Sequence, residues 1–222
     1  MNLTLFDLDG TLLEGDSDHA FGEWVMAQGW ADRQAYQARN DAFYADYQAG
    51  QLDIHAYIEF ATRAWRDRPF AALAAAQQEF LDQVIQPQLQ AAALNLVQRH
   101  LQAGDCVVLV TATNDFITRP IAQRLGIDHL LATELARDTS GRVLGTIAGT
   151  PCFREGKIDR VEQWLANRGQ RLADFDRCTF YSDSTNDLPL LERVSHPVAT
   201  NPSPALERIA MQRAWPVLKL FT

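Results

Sequence analysis

Apolar positions change rhythm along the chain, and each change marks a part. A short apolar-rich run, Leu3–Phe6, stops at Asp7, which predicts a buried strand. Over residues 14–90 glycine and proline become sparse. Apolar side chains recur there at helical spacing, as in Phe21/Trp24, Phe43/Tyr47 and Ile54/Tyr57/Ile58. Asp53 stands where an N-cap for the last of these helices belongs. This stretch holds 12 of the chain's 21 aromatics in 77 of its 222 residues, so it reads as a helical bundle with its own small core. Beyond it strands and helices alternate. Residues 94–101 predict a helix, 106–110 a strand ending at Thr111, and 116–125 a helix stopped by Gly126. Residues 141–149 (GRVLGTIAG) suit part of a hairpin. Ile158, Val161, Trp164 and Leu165 share a helix face closed by Gly169. A strand over 178–181 ends near Asp183, and a helix follows over 185–193. Short apolar strands between helices predict an α/β fold, a Rossmann-like parallel sheet with helices on both faces.

In such sheets ligands bind beyond the carboxyl ends of the strands. The predicted strands end there in Asp7, Thr111 and Asp183. Asp7 and Asp9 are two residues apart, and strand residues at that spacing point the same way. Two carboxylates aimed at one spot raise each other's pKa unless a cation compensates. Asp7, Asp9, Asp183 and Asp187, without His or Cys partners, suit a hard cation such as Mg²⁺. Around that charge Thr111 can hydrogen-bond a phosphoryl oxygen and Lys157 can neutralise another. Asp7 then suits a nucleophile that carries the phosphoryl group, and Asp9 a general acid and base. Structural readings stand beside these. DLDGT is also an acidic exit from a strand, and Ser184 with Asp187 fits a helix-capping box.

Composition narrows the field. Hydrophobic residues make up 47% and charged residues 22%, as in an ordinary globular protein. A net charge of −8 argues against nucleic acid as a partner, and no apolar run is long enough to span a membrane. Three cysteines at no metal-ligand spacing, and an N-terminus without a secretory pattern, predict a cytoplasmic protein.

Four stretches, in order, carry a resemblance. DLDGT (7–11), VVLVTAT (107–113), EGKIDRV (155–161) and YSDSTNDLPLL (181–191) resemble the motifs of the haloacid dehalogenase superfamily, subclass IB, the phosphoserine-phosphatase-like hydrolases. The resemblance implies nucleophile Asp7, acid/base Asp9, phosphate-binding Thr111 and Lys157, and Mg²⁺ held by Asp7, the Asp9 carbonyl and Asp183. Asp187 stands beside that ion or bridges to it through water, and Asn186 lies near the substrate. It further implies that residues 14–91 form a helical cap closing over a core of residues 1–13 and 92–222. Thr111-Ala112-Thr113 departs from the Ser-Gly-Gly usual in phosphoserine phosphatases.

Asp16 occupies the position where those enzymes hold the substrate ammonium with a Glu, although an acidic hinge into the cap reads equally from the sequence. Phe21, Trp24, Phe43, Tyr44 and Tyr47 either line a slot for a ring or form the bundle core. An amine and a ring together fit histidinol phosphate, on which some bacterial proteins act that are similar around GDSDH and ARNDAFYADY. A phosphoserine substrate needs a cation for its carboxylate, with Arg39 and Arg63 as candidates. The expected function is Mg²⁺-dependent hydrolysis of a small phosphorylated metabolite through an aspartyl-phosphate. The alternatives are a phosphotransferase or mutase using the same aspartyl-phosphate, and a receiver-like phosphorylatable switch.

Overall fold

A central parallel sheet forms because its strands are apolar on both faces. In the computed structural model, which describes residues 1–221, these strands are β1 (Leu3–Phe6), β2 (Cys106–Asn114) and β3 (His129–Thr133). A separate antiparallel hairpin follows, β4 (Leu135–Arg137) with β5 (Val143–Ile147). The sheet then continues with β6 (Cys178–Ser182), β7 (His196–Thr200) and β8 (Val217–Leu218), in the order β3-β2-β1-β6-β7-β8. Register is tight around β1, where Phe6 is level with Leu109 on one side and Tyr181 on the other. Asp7 therefore emerges beside the ends of β2 and β6.

Alternation assigns the faces. Leu3, Leu5, Val108, Val110 and Phe180 pack with Val161 and Leu165 of α7 (Glu155–Ala166), Leu190 of α8 (Leu188–Leu191) and Leu206 of α9 (Pro204–Gln212). Phe6, Val107, Leu109 and Tyr181 face the other way. They pack with Leu96 and Val97 of α5 (Ala91–Gln102) and Ile117 and Ile121 of α6 (Asp115–Leu125). Leu5 has no exposed surface, so truncating it to Ala would destabilise the fold by about 2–5 kcal/mol.

Between β1 and α5 lie α1 (Ser17–Ala27), α2 (Arg33–Gln48), α3 (Ile54–Arg63) and α4 (Phe70–Phe80). Asp16, Asp32 and Asp53 cap the first three, their carboxylates accepting first-turn N–H groups. The separate small core expected of this segment is not what forms. Its buried side chains, among them Phe21, Trp24, Ile58, Trp65 and Phe80, belong to one continuous cluster with Phe6, Leu109 and Ile121. The reason is that α1 and α4 lean on α6. The Trp65 ring stacks on Phe116 with centroids 4.4 Å apart, and Phe21 meets the same ring edge-on at 5.9 Å. The α2 helix packs on α1, and α3 on the hairpin strand β5.

Other differences have local causes. Strand β2 runs past Thr111 to Asn114 with a register shift after Val110. Instead of one helix over 185–193, a 3₁₀ turn (Thr185–Asp187) leads into the short α8. The expected capping box there is incomplete. Ser184 does accept the Asn186 N–H, but the Asp187 carboxylate is drawn away to a buried lysine. Strand β5 falls within the expected hairpin and its partner β4 lies before it. Among the described residues no helix is long and apolar enough to cross a membrane.

Candidate active site

The ends of β1, β2 and β6 bring Asp7, Thr111 and Asp183 to one rim. Lys157 reaches the same rim from the first turn of α7, although it stands far from it in sequence. Its turn is tight, because Gly156 lies against the Pro151 carbonyl where no side chain fits. Lys157 is 1% exposed, and its Nζ lies 2.8 Å from Asp7 Oδ1 and 2.7 Å from Asp187 Oδ1. Ser182 donates to Asp187 Oδ2 at 2.7 Å. Burial disfavours the ammonium, but the charges of Asp187 and Asp7 outweigh it and hold Lys157 protonated. For Asp7 burial wins. Its carboxyl is pushed up to about 7, with Lys157 opposing the shift and Asp187 adding to it.

Asp7 has one oxygen to spare. Its Oδ2 is buried and has no hydrogen-bond partner, which is costly for a carboxylate oxygen unless something else meets it. Nearby stands Asp183, accepting a hydrogen bond from Thr11 Oγ1 at 3.1 Å and held against Gly10, where an added Cβ would collide with its carboxylate. Burial raises the Asp183 pKa well above the usual range, and the charges of Asp7 and Asp187 raise it further. Two crowded carboxylates fit a hard divalent cation such as Mg²⁺. Among the described residues no three His, Cys, Asp or Glu side chains converge on one point. Asp187, engaged by Lys157 and Ser182, is turned to the lysine rather than free for a cation.

Asp9 is reached differently from the sequence expectation. Strand β1 ends at Phe6, and Asp9 lies beyond it in an isolated bridge to Leu13. Gly10, at φ 73°, turns the chain in a conformation that favours glycine. Asp9 still faces the same cavity as Asp7. Its Oδ1 accepts the Ser17 N–H at 2.6 Å and its Oδ2 the Thr113 hydroxyl at 2.9 Å. Burial and the Asp16 charge nonetheless push its carboxyl up to about 7. The positioning residues Ser17 and Thr113 escaped the sequence reading. The signal for Thr113 was its place in the strand-end stretch that departs from Ser-Gly-Gly.

Thr111 is buried and lines the cavity, its Oγ1 accepting the Thr113 N–H at 3.2 Å. Its own hydroxyl proton is available to a ligand. Opposite lies a wall contributed by α1, α2 and α3: Asp16, Asp18, Phe43, Tyr44, Tyr47 and Tyr57. The interior has about 40 Å³ open to the centres of water molecules, room for a few of them. Asp16 lines this wall and also caps α1, its Oδ1 accepting the N–H groups of Asp18 and His19. Burial raises its pKa. Of the other candidate aromatics, Phe21 and Trp24 belong to the core and not to the cavity. Asn186 does not line the cavity. Its amide donates to the Tyr47 carbonyl at 3.0 Å, tying the Asp183–Asp187 loop to α2. Arg39 sits over the Phe43 ring and Arg63 pairs with Glu59, both away from the cavity. His19 lines it, but its Nε2 is 3.0 Å from Asp41.

Comparison with known proteins places this arrangement. The family model described as haloacid dehalogenase-like hydrolase matches residues 4–192. A histidinol-phosphatase of Neisseria meningitidis is 43% identical over 98% of both chains. A phosphoserine phosphatase of Mycobacterium tuberculosis is 33% identical, over 96% of this chain and 68% of its own. Among solved structures, a Bordetella pertussis protein of unknown function superimposes with a TM-score of 0.93 at 47% identity, covering 99% of each chain. A substrate-bound phosphoserine phosphatase shares the fold, with a TM-score of 0.69 at 18% identity over 97% of this chain and 91% of its own.

Proposed function

The chain belongs to the haloacid dehalogenase-like hydrolases, and we propose that within them it is a Mg²⁺-dependent phosphatase of a small amine-bearing phosphomonoester, histidinol phosphate before phosphoserine. The observation that carries the reading is the buried, unpartnered Oδ2 of Asp7, a cavity-lining residue whose Oδ1 is pinned by Lys157. That oxygen attacks phosphorus and forms the aspartyl-phosphate, and the P–O bond to the substrate alcohol breaks. Asp9, whose raised pKa keeps a proton available near neutrality, gives it to the leaving oxygen. The resulting carboxylate takes a proton from a water, whose oxygen attacks phosphorus and frees Asp7. Thr111 donates to a phosphoryl oxygen, and protonated Lys157 balances the charge beside Asp7. Asp7, the Asp9 carbonyl and Asp183 would hold Mg²⁺, which would neutralise phosphoryl charge, while Asp187 holds Lys157.

The wall favours an amine over an amino acid. No arginine lines the cavity among the described residues, and Lys157 is held by Asp7 and Asp187, whereas Asp16 suits a substrate ammonium. The Neisseria relative's name agrees with that preference. Asp9, a built-in acid and base, favours turnover over a receiver-like switch and serves hydrolysis without a second alcohol. Residues 14–91 act as the cap over the core. Three unpaired cysteines, two of them buried, suit the reducing cytoplasm. The test is phosphate release from histidinol phosphate, phosphoserine and p-nitrophenyl phosphate, with and without Mg²⁺. We expect Mg²⁺-dependent turnover with histidinol phosphate preferred, and a loss of at least about a thousandfold in Asp7→Asn. Undiminished turnover in that variant would refute the reading.

A further inference from the structure

We infer that Asp18, set between Tyr57 and Asn114 on the α3 side of the cavity, is a second recognition point that takes a ring N–H of the substrate while Asp16 takes its amine. The inference rests on the phosphatase reading of the cavity and names the substrate class more closely: an amino-alcohol phosphomonoester bearing a nitrogen heterocycle that is cationic or donates N–H.

The position of Asp18 has no sufficient structural explanation. It lies in the first turn of α1, but the cap of that helix is Asp16. A first-turn acid gains from the helix dipole equally well in solvent, yet Asp18 is only 9% exposed and lines the cavity. Its partners are neutral: the Asn114 amide at 3.3 Å and the Tyr57 hydroxyl. An ionised carboxylate offers about four acceptor positions, so two neutral donors leave capacity. His19, its neighbour, is directed to Asp41. Burial, then the charges of Asp16 and Asp9, raise the Asp18 pKa well above the ordinary range, so the site as built disfavours its own anion.

The surroundings suit a flat ring. Phe43 and Tyr57 meet edge-on with centroids 5.3 Å apart, and Tyr44 rests on His19 at 4.8 Å. Leu52 and Ile54 complete an apolar rim. Asp7, whose Oδ2 is unpartnered, lines the same cavity as Asp18, so the ligand inferred here would reach from one to the other. Asn40 steadies this part of the wall. Its amide donates to the His19 carbonyl at 3.2 Å and packs on Gly22, whose missing side chain brings α2 against α1.

The experiment uses the Mg²⁺-loaded protein and two readouts. The first is the ratio of kcat/KM for histidinol phosphate to that for phosphoethanolamine, which has the amine but no ring. The second is calorimetric binding of L-histidinol, the free alcohol, with inorganic phosphate as comparator. Losing a hydrogen bond to a charged group predicts that Asp18→Asn lowers the ratio at least about tenfold and weakens histidinol relative to phosphate by a similar factor. An unchanged ratio, both substrates falling together, or equal histidinol binding by wild type and variant would overturn the inference. No histidinol binding by the wild type would overturn it too. If the wild type binds histidinol and releases no phosphate, the phosphatase reading fails while the binding comparison still decides the role of Asp18. Should Asp18→Asn not fold, Tyr57→Phe takes its place, with the same direction expected at about threefold.

Discussion

The floor and the wall of the cavity both carry buried aspartates, but they are built in opposite ways. On the floor, Asp7 and Asp187 share a buried ammonium at 2.7–2.8 Å, positioned by a rigid sheet. On the wall, Asp16 and Asp18 are held by backbone N–H groups, an amide and a hydroxyl, none of them cationic. The floor sets one ammonium against two carboxylates, with Asp183 beside them. The wall is left wanting positive charge. In the function proposed above, the first arrangement serves chemistry common to any phosphoester and the second the choice among esters.

The comparison can be broken most severely at Lys157. Lys157→Met would leave Asp7 and Asp187 buried without their counter-charge. The expected result is a protein less stable by about 3–5 kcal/mol in denaturant titration and at least about a thousandfold slower towards every ester. A loss confined to one substrate would mean that the lysine belongs to the wall. Asp16→Ala should do the reverse. KM for amine-bearing esters should rise about tenfold, p-nitrophenyl phosphate should suffer less, and loss of the α1 cap should cost about 1 kcal/mol. Equal KM values for wild type and variant would remove Asp16 from recognition.

The smallest effect concerns pH. Asp7 and Asp9 are raised to about 7, so the folded metal-free protein holds protons that the unfolded chain has released. Stability therefore falls as pH rises from about 4 to 7, the unfolded state binding fewer protons there. Mg²⁺ should offset that loss where both carboxyls are ionised. A thermal scan should show a larger Mg²⁺-induced rise in Tm at pH 8 than at pH 5.5, by a few degrees. An equal rise at both would mean that these carboxyls do not meet the ion.

The floor was legible in the sequence because strand periodicity places its residues. Asp7, Thr111 and Asp183 follow apolar runs that can only be central strands, and parallel pairing sets their ends level. Strands β3, β7 and β8 escaped because they are short and ordinary in composition, as in the HPVAT of β7 with its proline. The wall was less legible. The burial of Asp18 depends on Tyr57 from α3 and Asn114 from the end of β2, a meeting that helical spacing does not encode. The separate core expected for the cap failed for a related reason. An aromatic helix face shows that something will cover it, and here α6 does so through Phe116.

That shared packing also couples the wall to the floor. The carboxylates of Asp16 and Asp18 ride on α1, which is anchored to α6 along with the catalytic floor, whereas Tyr44, Tyr47 and Tyr57 belong to α2 and α3. The α2 helix also packs along α1, and its Tyr47 carbonyl receives the Asn186 amide from the loop that carries Asp183. Wall and floor are therefore held as one piece, and a change that loosens either should be felt by the other.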